Sequence, residues 1–189
     1  MARKKNKKPL SIWAILIWAA AISAVLTFSL APIAKLIYPL EYEEQITKYA
    51  EEYSLDKYLV MGIISSESNF DPNAQSHKSA HGLMQLKDET ALWCVESLDL
   101  GIDSSDIREP EANIHIGCAY MRYLIDLYKG NTITAIAAYN AGLGNVNKWL
   151  SDKRYSDGMG TLKTIPFSET KTYVEKVQKR AKIYGKLYQ

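Results

Sequence analysis

Tyr58-Leu59-Val60-Met61-Gly62-Ile63-Ile64 runs on through Ser65 and Ser66 into Glu67-Ser68-Asn69-Phe70-Asp71-Pro72. The apolar stretch predicts a buried helix capped at its start by Asp56, ending on a carboxylic acid near Ser68 and broken by Asp71-Pro72-Asn73. A carboxyl carried on such a helix is desolvated, and desolvation disfavours the charged form and raises the pKa. That is how a protein builds a general acid for neutral pH. A Glu at a helix end is, however, usually a solvated surface group. Glu67 alone does not decide between the two readings.

Working outward, the pattern is helical almost throughout. Glu41 to Tyr53 puts Ile46, Tyr49, Ala50 and Tyr53 on one face of an amphipathic helix. Residues 73–86, rich in Ser, His, Ala, Gly and Gln, have no period and predict a loop or a small irregular hairpin that could wall a cleft. A short helix from Asp88 or Glu89 to about Leu98 comes next. A long helix then starts at Pro110 and ends at Gly130, with Ile114, Cys118, Met121, Ile125 and Tyr128 as its core stripe. Thr132 is expected to cap a small-residue helix reaching Asn140, with Gly142 and Gly144 stopping it. Residues 151–164 read as a mobile flap. Ser168 is expected to cap a last helix with Tyr173, Val177, Ala181, Tyr184 and Tyr188 buried. The fold class is therefore all-α with at most a small irregular hairpin, and one transmembrane helix ahead of it.

That transmembrane helix is expected from the N-terminus. Arg3, Lys4, Lys5, Lys7 and Lys8 precede a stretch, Pro9 to Ala34, that carries no charge. A bilayer-crossing helix needs about 20 apolar residues. Trp13, Trp18 and Tyr38 stand where rings favour the interface, and the basic residues keep the N-terminus in the cytoplasm. The expected division is residues 1–9 as a basic cytoplasmic start, 10–34 as a single-pass anchor and 40–189 as an extracytoplasmic domain. A cleaved signal peptide would have a shorter apolar core, although Ser29-Leu30-Ala31 offers a weak cleavage site.

The formal charge of +2 comes from that start. Without its five cations 18 basic and 21 acidic residues remain, so no broad basic face for nucleic acid is expected. Cys94 and Cys118 could form a bridge or be two small buried hydrophobes. His77 and His81 have the spacing of two metal ligands on a helix, but no helical pattern and no third ligand accompany them, so no metal site and no cofactor are expected. Thirteen tyrosines mean that one tyrosine by itself marks nothing.

Glu67-Ser68, Ser76, Gly82-Leu83-Met84-Gln85 and Ala138-Tyr139-Asn140-Ala141-Gly142, in that order, resemble the family-1 lytic transglycosylases of goose-type lysozyme fold. The resemblance covers roughly Glu41 to Tyr184. It implies Glu67 as the single catalytic acid/base, and Ser76, Gln85, Tyr139, Asn140 and Glu169 as residues of a sugar cleft. It also implies peptidoglycan glycan strands as partner, cut between N-acetylmuramic acid and N-acetylglucosamine with closure of a 1,6-anhydro ring. Four positions depart from the family pattern: Ser79 for Gly, Lys87-Asp88 for Met-Pro and Lys171 for Arg. Ser79 is expected to need a different turn, since Gly tolerates angles that Ser does not. A hydrolytic muramidase on the same fold, or a wall-binding anchor without activity, stays open beside this reading.

Overall fold

The computed structural model describes residues 11–189, and for residues 24–31 the backbone alone. It divides into two units, Met1–Ile37 and Tyr38–Gln189. In the first, α1 (Ile12–Ile37) is a helix of 26 residues with Pro32 inside it and Lys35 in its last turn. Its described large apolar side chains, Trp13 and Trp18 included, are exposed. Among the described residues no helix is long and apolar enough to cross a membrane. The expected anchor runs partly through side chains outside that description, and the basic start lies outside it entirely.

The second unit is helical apart from one antiparallel hairpin, β1 (Ala80–His81) with β2 (Leu86–Lys87), in which Ala80 faces Lys87 and His81 faces Leu86. α2 (Glu43–Glu52) buries Ile46, Tyr49 and Ala50 and carries two acids in its first turn, where the helix dipole favours them. α3 (Lys57–Glu67) starts where expected, with Asp56 Oδ1 accepting from the Tyr58 N–H at 2.8 Å. Every residue from Leu59 to Ser65 is buried, as a helix that is apolar all round must be. Asn69 and Phe70 then take φ of 53° and 67°, a sharp reversal directly after Glu67-Ser68. α4 (Asp88–Ser97) and α5 (Pro110–Leu127) follow, with the predicted core stripe of α5 buried. Cys94 and Cys118 are buried free thiols.

Several boundaries differ from expectation. The cap of α6 (Thr132–Ala141) is Asn131, whose side-chain oxygen accepts from the Thr134 N–H at 2.8 Å, and Thr132 is already helical. Gly142 ends α6 with φ 83°, but Gly144 lies inside another helix, α7 (Leu143–Leu150), which the paired glycines conceal. Burial of Val146 and Trp149 offsets the roughly 1 kcal/mol that a helical glycine costs. In α8 (Ser168–Leu187) Ser168 is the first helical residue, and Phe167 holds the cap position without a side-chain bond. Residues 151–164 are fastened rather than loose. Leu162 is buried and its N–H donates to Thr134 Oγ1, while Asp157 Oδ1 accepts from the N–H groups of Met159 and Thr161. Ser79 takes φ 56°, so this serine adopts the left-handed turn instead of forcing another.

α3 and α8 pack closest. A Cβ on Gly62 would lie 2.8 Å from the Val177 carbonyl and 2.9 Å from the Ala181 nitrogen, so glycine is what lets the two backbones meet. This contact brings the end of α3 against the first half of α8.

Candidate active site

Glu67 is the last residue of α3 and partly buried. Tyr173, in the second turn of α8, donates its hydroxyl to Glu67 Oε1 at 2.6 Å. Burial pushes the Glu67 carboxyl up to about 7, against the Tyr173 hydrogen bond and the Lys176 charge, which both favour the ionised form. At neutral pH the group is therefore poised between acid and base. Burial also holds the Tyr173 and Tyr139 protons well above the ordinary tyrosine range, so both stay donors.

The facing wall is built from backbone held by side chains. Asn113, buried in α5, accepts from the Met84 N–H at 2.8 Å and donates to the His81 carbonyl at 3.2 Å. Ser68 Oγ donates to the Leu83 carbonyl and Tyr139 to the Met84 carbonyl, each at 2.8 Å. Gln85, at φ 49°, turns its amide back onto the carbonyls of Ala74 and Gly82, both at 2.9 Å. Among the described residues its carboxamide oxygen has no partner, which leaves it open to a ligand. Ser76 Oγ accepts from the N–H groups of Lys78 and Ala80. With its acceptor sites engaged, the hydroxyl can still donate. Glu169 stands in the first turn of α8, largely exposed, 3.7 Å from Lys78.

Glu67, Ser76, Gln85, Tyr139, Asn140 and Glu169 all line one cleft of about 400 Å³, rimmed further by Lys78, Lys87 and Glu89. A pocket of similar volume at Glu52, Tyr53, His115 and Arg122 contains none of the six. His77 is exposed in the loop, His81 lies in β1, and among the described residues no group of His, Cys, Asp and Glu is arranged for a metal. Two residues of the site are not evident from the sequence. Tyr173 belongs to the core stripe of α8 and is buried there, yet its hydroxyl reaches Glu67. Its place four residues after Glu169, on the same helix face, was the available signal. Asn113 interrupts the apolar stripe of α5, and a buried amide in that position asks for partners.

An open cleft crossed by one poised carboxyl and lined with hydroxyl and amide groups suits a polyhydroxylated chain rather than a compact apolar ligand. Known proteins agree with that character. Residues 44–159 match the family model described as the transglycosylase SLT domain. The chain is 33% identical over 163 residues to the soluble lytic murein transglycosylase of Salmonella typhimurium, covering 85% of this chain and 25% of that one. It is 31% identical over 169 residues to the membrane-bound lytic murein transglycosylase C of Edwardsiella ictaluri, covering 78% and 47%. The fold matches an inactive glutamate-to-glutamine mutant of lytic transglycosylase Slt from Pseudomonas aeruginosa with TM-score 0.70 and 33% identity, over 79% of this chain and 24% of that one. The chain spans about a quarter of the length of the soluble curated relatives it matches. The helical architecture with its small hairpin is the lysozyme-like one, and the chain belongs to the transglycosylase SLT domain family.

Proposed function

We propose that this chain is a membrane-anchored lytic transglycosylase that cuts peptidoglycan between N-acetylmuramic acid and N-acetylglucosamine, with Glu67 as its single acid/base. The observation that carries the reading is a largely buried carboxyl, pushed up to about 7, in a cleft lined by Ser76, Gln85, Tyr139 and Asn140. The relatives' activity and the inactivity of a glutamate-to-glutamine variant in one of them support it. With Oε1 engaged by Tyr173, Oε2 carries the transferable proton. Glu67 gives that proton to the glycosidic oxygen as the bond to C1 breaks, and the substrate's acetamido oxygen stabilises the cationic centre. The Glu67 carboxylate, now steadied by Tyr173 and Lys176, takes the proton of the C6 hydroxyl as its oxygen closes on C1. The product is a 1,6-anhydro end, and the acid is restored. Ser76 would donate to the acetamido group, with Gln85, Asn140 and Glu169 orienting neighbouring sugars.

The anchor half of the proposal rests on the sequence, in which Pro9 to Ala34 carries no charge and follows five basic residues. A membrane-bound relative supports it too. The test is digestion of purified peptidoglycan by the full chain in detergent, followed by analysis of the ends. Wild type is expected to release 1,6-anhydro ends. Glu67→Gln, which keeps the shape but cannot cycle a proton, is expected to lose at least about 10²–10⁴-fold in rate. Reducing ends alone would make the protein a hydrolytic muramidase, and binding without turnover would make it a wall-binding anchor.

A further inference from the structure

α3 has no basic residue in its last turn. Its final carbonyls therefore lack a cation from their own helix, although a helix C-terminus favours one. α8 supplies two. Lys176 Nζ donates to the Ser66 carbonyl at 2.7 Å. The Arg180 guanidinium donates to the Ser65 carbonyl and, at 2.7 Å, to Ser65 Oγ. Tyr173, Lys176 and Arg180 recur at intervals of three and four, so they share one face of α8. The same face that donates to Glu67 also closes the end of the helix carrying it.

We propose that Lys176 is a positioning residue for Glu67: it fastens the last turn of α3 to α8 and sets a positive charge against the carboxyl that Tyr173 holds. The proposal rests on the acid/base reading of Glu67 only for its effect on rate. Facing Glu67 are Tyr173 and Lys176 from α8 and Tyr139 from α6. On the rim, Glu169 and Lys78 answer each other at 3.7 Å. Of these groups Lys176 is the cation that acts on Glu67, and Arg180 stands behind it. Burial and the Arg180 charge loosen Lys176's hold on its own proton, and Glu67 tightens it again. Arg180 secures the same helix end through Ser65, one turn of α8 further from Tyr173.

The experiment follows the Glu67 carboxyl by ¹³C NMR through a pH titration of the full, Glu-labelled chain in detergent micelles, with Glu67→Gln identifying the resonance. Lys176→Met keeps the stem and removes the charge, and Lys176→Arg keeps the charge. The Met variant is expected to move the Glu67 midpoint upward by on the order of 1 pH unit, and Arg to leave it near wild type. Because Lys176 is exposed, added salt should raise the wild-type midpoint and leave that of the Met variant still. The alkaline limb of kcat/KM, set by loss of the acid, should move with each midpoint. A midpoint unchanged in the Met variant, or displaced equally by Met and Arg, overturns the proposal. If the midpoint moves but the alkaline limb does not, or if Glu67→Gln still cleaves, Lys176 keeps its hold on Glu67 and the acid/base reading falls instead.

Discussion

Tyr139 does two things with one side chain. Its ring lines the cleft, and its hydroxyl donates to the Met84 carbonyl at 2.8 Å. The resemblance implies Tyr139 as a residue of the sugar cleft, and the structure gives its hydroxyl to the backbone of the opposite wall. Tyr139→Phe should therefore weaken turnover and also lower stability by about 1–2 kcal/mol, since it leaves a shielded carbonyl without its donor. Melting temperature and turnover per folded molecule separate the two effects. Unchanged melting would mean that the Met84 bond contributes nothing. Ser79 shows the same economy in reverse. At φ 56° it carries left-handed strain of roughly 1 kcal/mol that a glycine would escape, and the turn survives because Ser79 N–H donates to the Ser76 carbonyl.

Between elements, the approach of α3 to α8 is the contact on which the site depends. Gly62→Ala would put a methyl 2.8 Å from the Val177 carbonyl, against backbone that cannot rotate aside. We expect it to destabilise the protein by about 2–3 kcal/mol and to lengthen the Tyr173–Glu67 bond, with activity falling further than the folded fraction. Chemical denaturation beside turnover per folded molecule checks this. A fully active, fully stable Ala variant would refute so close an approach. Gly62 was visible in the sequence only as one residue of an apolar run, because close approach belongs to two helices and neither stretch states it alone. The helices themselves were legible where apolar spacing was long, as in α2, α3 and α5. α7 was not, since two glycines look like a stop until Val146 and Trp149 find a core to fill. Five of the six residues that line the cleft stand in ordered motifs, and Glu169 enters only through the resemblance that those motifs carry. Tyr173 and Asn113 were hidden by their own burial, which reads as core whether or not a polar tip has work to do.

For the molecule as a whole, Glu67 ties stability to pH. Its folded pKa of about 7 lies above the ordinary 4.5, so this group leaves stability intact below about pH 4.5 and erodes it as pH rises toward 7 and beyond. The loss is on the order of 3 kcal/mol above that window. Glu67→Gln should match wild type near pH 4.5 and exceed it at pH 8.5, as thermal unfolding at the two values would reveal. An equal difference at both would place the cost elsewhere. The whole chain should also remain in the membrane fraction through salt and carbonate washes. A soluble protein whose mature N-terminus lies near Ala31 or Ala34 would remove the anchor from the proposal. One further feature bears on how such a domain is used. Tyr188 donates to the Tyr38 carbonyl at 2.8 Å and Tyr184 to that of Pro39 at 2.9 Å, so the polypeptide enters and leaves the second unit at one spot. A body whose two ends are buttoned together is portable. It can hang from a tether or be spliced into a host several times its size without its interior being cut, and whatever is joined to either end meets the other there.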